Sequence, residues 1–155
     1  MNNNSEFKPN DDEKRLALDH VLYEIEMFTA LPIESASKLI SNAIIESYLV
    51  HARVLCDFFQ NSNRIKDDIL CSDYGFTAST LTIPEDIETR FDKCLAHLTY
   101  SRLKYKGDTK TWIYAKFRPH INERIKTFLL HLLNKKKDWL NEKVIIKCEY
   151  ILKNI

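Results

Sequence analysis

Residues Ser37–Gln60, SKLISNAIIESYLVHARVLCDFFQ, decide the fold. The stretch holds no Gly or Pro and is long enough for one helix of about six turns. At 100° per residue, Ile44, Tyr48, His51, Leu55 and Phe58 share one broad face. Ala43, Val50 and Val54 fill a second sector, and Ile45, Leu49 and Cys56 a third. Only a narrow stripe, Asn42, Glu46, Arg53 and Asp57, stays polar. A helix apolar nearly all round is predicted to lie in the middle of a bundle, with the other helices packed against it.

Composition agrees with an all-α domain. The 155 residues suit one domain. Gly 2 and Pro 4 are too few to supply many tight β-turns, while 45% hydrophobic residues can build a core. The net charge of +1 does not indicate a broadly basic nucleic-acid binder, which leaves only a local patch for that role. Cys56, Cys71, Cys94 and Cys148 form no C-x-x-C pair, so zinc and thioredoxin-type chemistry have no support. Cys56, Cys94 and Cys148 fall on or beside apolar stripes and read as buried free thiols of a reducing cytosol. The start, MNNNSEFKPNDDEKR, lacks the apolar core of a secretory signal, and no uninterrupted run of 18 apolar residues occurs. A cytoplasmic protein with no membrane span, cofactor or metal is therefore expected.

Residues 1–9 read as a disordered lead-in, and 10–155 as a single helical-bundle domain. A first helix is predicted from Asn10 or Asp11 to Pro32, with Leu18, Val21, Leu22, Ile25 and Phe28 inward. The central helix starts from Ser35 or Ser37. After the turn Asn61-Ser62-Asn63, a short helix over 64–71 is followed by a structured loop, 72–83, of a length that is often functional. A third helix runs from Pro84 to about Tyr105. A fourth spans about Thr109–Asn134, with Pro119 causing a kink or a break near Phe117 and Ile121, Ile125, Phe128, Leu129 and Leu132 inward after it. A last helix covers about Asp138–Lys153. The sum is an antiparallel bundle of four long helices and a shorter fifth.

On the predicted third helix Arg90 and His97 are seven residues apart and point the same way, with Cys94 and Ser101 along that side. This row borders the apolar stripe. An imidazole there could exchange a proton with a ribose 2′-hydroxyl or the leaving oxygen, and a guanidinium could clamp the phosphate and stabilise transition-state charge. No metal is needed.

The segment RFDKCLAHLTYSR, with Arg90, six residues and His97, resembles the R-x(4–6)-H motif of the HEPN superfamily. HARVLCDFF, His51–Phe59, resembles the abortive-infection branch of that superfamily. Phe91 stands where the family often has a polar residue, and Asp92 follows it. The resemblance implies a HEPN-like bundle and a homodimeric, metal-independent ribonuclease of a toxin–antitoxin or phage-defence system, its motifs meeting across the dimer. The spacing occurs three times, at Arg15/His20, Arg90/His97 and Arg124/His131, and about one occurrence is expected by chance. Arg90/His97 is preferred for its helix and neighbours, with Arg124/His131 in reserve.

Other residues join these. Glu46, Arg53 and Asp57 could face the Arg90/His97 side and orient a catalytic histidine, or form a structural ion-pair stripe. His51, among apolar neighbours, reads as a hydrogen-bonded core histidine that needs a partner for a ring nitrogen. Arg102, Lys104, Lys106 and Lys110, near Tyr100, Tyr105 and Trp112, could grip single-stranded RNA by charge and stacking, or form a solvated turn. Lys135–Lys137 reads as a solvated junction. Asp67, Asp68 and Asp73 lack calcium-loop spacing. No Gly-rich phosphate loop or serine nucleophile elbow occurs. The alternative to an RNA-cleaving enzyme with an antitoxin or other protein partner is a non-catalytic all-α interaction module.

Overall fold

Asn10 and Glu13 start the first helix reciprocally. The Glu13 N–H donates to Asn10 Oδ1 at 2.9 Å, and the Asn10 N–H donates to Glu13 Oε2 at 2.7 Å. Two otherwise orphaned N–H groups are satisfied at once, and α1 (Asp11–Ala30) follows. The computed structural model describes residues 7–30, 37–95, 99–107 and 111–155. All regular structure among them is helical: α1, α2 (Lys38–Gln60), α3 (Glu85–Arg90), α4 (Arg118–Lys135) and α5 (Glu142–Asn154), joined by loops and short 3-10 turns, with no strand among the described residues. Pro32, Ser35, His97, Asp108, Thr109, Lys110 and most of the predicted lead-in lie outside the described residues.

The predicted inward residues of α1 are all buried, as are Ile121, Ile125, Phe128, Leu129 and Leu132 of α4. Aromatic rings hold the centre. Phe28 stacks on Tyr48 at 4.8 Å, and Phe58, Phe59, Tyr74 and Phe76 surround Phe128 at 5.3–5.8 Å. Burying each such side chain contributes roughly 1.5–3 kcal/mol. The 72–83 loop belongs to this core. Leu81 and Ile83 are buried, and the Ser79 N–H donates to the Phe59 carbonyl at 3.0 Å.

Four expectations are corrected. The central helix is not buried all round. Tyr48, Leu49, Ala52, Leu55, Phe58 and Phe59 face the core, but Leu39, Ile40, Val50 and Val54 are 79%, 52%, 47% and 40% exposed. Helical periodicity places apolar residues on a face without saying what covers that face. The third helix does not run to Tyr105. It has six residues and passes into a π-helical turn, Phe91–Leu95; among the described residues beyond it, Thr99 is extended and Tyr100–Lys104 forms a 3-10 turn. The break expected near Phe117 is present: α4 begins at Arg118, and Pro119 sits in its first turn, where a missing N–H breaks no helical bond. The four long helices of the expectation are therefore three, of 20, 23 and 18 residues, with α5 at 13 and α3 at 6. Nor do residues 64–70 form a helix; only Cys71–Tyr74 makes a 3-10 turn, closed by Gly75 at φ 71°.

By length and composition alone α2 is apolar enough to cross a membrane, despite lacking an unbroken apolar run. In this fold its inner face is covered by protein.

Candidate functional site

The residues singled out in the sequence separate into four groups. Arg90 goes inward and is 5% exposed. Two aromatic rings from beyond α3 pack on it: its guanidinium lies 3.9 Å from the Trp112 ring centroid and 4.8 Å from that of Tyr105. Its Nη1 also donates to the Thr111 carbonyl at 3.3 Å. Trp112 in turn stacks on Phe91 at 5.5 Å with planes 14° apart. Tyr105 and Trp112, expected beside an RNA-binding turn, serve as the walls around Arg90. A guanidinium between two aromatic faces is attracted by their quadrupoles, and this one, also held by a carbonyl, presents little surface to a phosphate. Its intended partner, His97, lies outside the described residues.

The second group is the polar stripe of α2. Arg53 Nη2 sits 3.2 Å from Asp92 Oδ1, so the stripe meets the π-helical turn just after Arg90. Gln60 adds to this seam by donating to Glu88 Oε1 at 3.2 Å. π-Helical turns occur often at functional sites, and here one, Phe91–Leu95, directly follows Arg90. Partial burial pushes the Asp57 carboxyl above the usual carboxylate range; Arg53 pulls it back, and Asp92 and Asp68 push it up further. Glu46 is exposed on α2. His51 is a core histidine with its partner found: Nδ1 lies 2.6 Å from Glu24 Oε2. Ser101 falls within the Tyr100–Lys104 turn.

That turn carries the third group. Arg102, Lys104 and Lys106 are exposed, and Tyr100 is 91% exposed beside them. The turn is tied back by Thr99 Oγ1 donating to the Lys93 carbonyl at 3.0 Å and by Arg102 Nη2 donating to that of Leu95 at 3.3 Å.

The reserve pair holds the 72–83 loop. Arg124 Nη2 donates to the Thr77 carbonyl at 2.6 Å, with its guanidinium 4.4 Å from the Phe76 centroid. His131 Nε2 lies 3.0 Å from the Tyr74 carbonyl, and its ring meets Phe76 edge-on. Burial lowers the Arg124 pKa from its ordinary value. The loop that looked functional by length is thus fastened to α4 by both residues.

The sequence reading missed a half-open groove of about 560 Å³ between α1, α2 and the 61–70 loop. Val54, Phe58, Ile65 and Ile69 provide apolar surface, while Glu24, Asp57, Asp67 and Asp68 bring carboxylates; no Lys or Arg lines it. The signal available was the Asp67-Asp68 pair flanked by Ile65 and Ile69, but its position opposite α1 is a tertiary fact. Among the described residues no group of three or more His, Cys, Asp or Glu could hold a metal ion. Cys56, Cys71 and Cys148 are buried free thiols, and Cys94 is partly buried. Burial pushes the Cys148 thiol up to about 11.

No family model matches this chain, and no curated protein or solved structure matches it either.

Proposed function

We propose that this chain is a non-catalytic all-α protein-interaction module, with a HEPN-like antiparallel arrangement of its helices, working in a reducing cytosol. One observation carries the reading: α2 builds the core with one face and leaves Leu39, Ile40, Val50 and Val54 uncovered on the other. Large exposed apolar side chains aligned along one helix are the usual mark of a surface that meets another protein. The burial of Arg90 between Trp112 and Tyr105 supports the same reading, because the preferred phosphate clamp is occupied by a packing role. The test is incubation of purified wild-type and His97→Ala proteins with tRNA and mRNA in the presence of a chelator. Identical, intact RNA with both proteins is expected. Cleavage by wild type that disappears in His97→Ala would overturn the reading.

One observation favours a second reading, the homodimeric metal-independent ribonuclease of a toxin–antitoxin or phage-defence system. Tyr100, Arg102, Lys104 and Lys106 are all exposed within one short segment beyond His97. An aromatic ring among cations suits single-stranded RNA. In that reading this segment meets the RNA backbone and His97 moves the proton.

A further inference from the structure

The groove and the uncovered face of α2 are continuous, because Val54 belongs to both. Ala43, Val50 and Val54 are exposed at helical spacing along α2. The apolar track therefore extends beyond the cavity and is longer than a small molecule needs. Its groove end is edged by carboxylates without a single lining Lys or Arg, on a chain whose overall charge is +1. Glu24 is engaged by His51, but the Asp67 and Asp68 side chains enter no ion pair among the described residues. The loop carrying them is already fixed: the Arg64 guanidinium binds the Asp68 carbonyl and the Asp73 carboxylate. A wall held in place before binding loses little entropy when a partner arrives.

Resting on the reading of the chain as an interaction module, we propose that this surface is the docking site for a positively charged amphipathic helix of a partner protein. The partner's apolar side would lie along Ala43, Val50 and Val54 and enter the groove, and its lysines or arginines would face Asp57, Asp67 and Asp68. Helix-in-groove recognition combines an apolar seam with charges at its edge in this way. An extended apolar track favours a helix over a compact ligand, and the Asp67 and Asp68 carboxylates, which enter no ion pair among the described residues, select its sign.

The test uses the full chain and a fluorescein-labelled amphipathic Leu/Lys peptide of roughly 18 residues, about 27 Å as a helix. A Leu/Glu peptide of the same pattern serves as control. Fluorescence anisotropy should show saturable binding of the Leu/Lys peptide only. The Asp67→Asn/Asp68→Asn double variant should weaken binding at least tenfold, and Val50→Gln/Val54→Gln should do likewise. All four positions are exposed, and unchanged circular dichroism is expected for both variants. Absent binding, equal binding of both peptides, or indifference to both double variants would overturn the proposal. So would sedimentation of the free chain as a dimer that Val50→Gln/Val54→Gln dissociates, because a second copy would then own the surface. Loss of peptide binding with RNA left intact removes this site and spares the interaction reading. Cleavage of RNA that depends on His97 removes the interaction reading itself.

Discussion

Replacing Arg90 with Ala should unfold the protein more easily than any loss of a surface arginine could. The side chain sits at two aromatic faces, 3.9 Å and 4.8 Å from their centroids, and donates to the Thr111 carbonyl. A partly desolvated cation–π contact is worth roughly 1–2 kcal/mol, and a hydrogen bond about 1 kcal/mol net. The two ring contacts share one cation and are not additive, so about 3 kcal/mol is expected for the set. In a chain of this size that corresponds to a fall in Tm of about 6–12 °C. Arg90→Lys should recover only part of the loss, since a compact ammonium cannot stack as a plane between two rings. Thermal and urea denaturation followed by circular dichroism measure both. A Tm within about 1 °C of wild type for Arg90→Ala would refute the reasoning, since a stacked, buried guanidinium cannot be removed at so small a loss.

Four further outcomes follow from other parts of the fold. The Tyr48 hydroxyl is buried with no hydrogen-bond partner among the described residues, so Tyr48→Phe should raise stability by about 1 kcal/mol in urea denaturation. Asp57→Asn should stabilise the fold at neutral pH. The folded-state pKa of Asp57 is raised, so its ionised form disfavours folding; the gain should shrink as pH falls towards the ordinary Asp range, and an unchanging gain in Tm across that range would contradict it. Arg124→Ala or His131→Ala should release the 72–83 loop, read as faster amide exchange at Ser79, whose N–H is bonded to the Phe59 carbonyl, with about 1–3 kcal/mol lost. Native protein should show one readily labelled thiol, Cys94, with Cys56, Cys71 and Cys148 reacting with Ellman's reagent only after unfolding.

Much of the scaffold was legible because burial follows periodicity. Leu18 through Phe28 on α1 and Ile121 through Leu132 on α4 were readable as inward stripes, and His51 as a core histidine in need of a partner. The outward stripe of α2 was not. Val50 and Val54 carry the same apolar signal whether protein or solvent covers them, and only the position of α1 separates the cases. The third helix failed for a related reason. Ile87 and Phe91 continue a helical stripe, so nothing local announces the π-helical turn at Phe91–Leu95 or the placement of Trp112 on Arg90. The shared face expected for Arg90 and His97 assumed an ideal α-helix through Phe91–Leu95, where the chain forms a π-helical turn. Tyr105 and Trp112 were read as stacking platforms, and they are, but for a guanidinium inside the protein. Arg124 and His131 have the motif's spacing and likewise hold a loop, which shows how little that spacing says without a fold around it.

The central claim is that the Arg90 guanidinium belongs to the interior, and arginine-specific dicarbonyl labelling read by mass spectrometry tests it most directly. In native protein Arg90 should stay unlabelled while Arg15, about half exposed on α1, reacts freely, and both should react alike after denaturation. Labelling of Arg90 at the rate of Arg15 in the folded protein would contradict the account and return that residue to an open site.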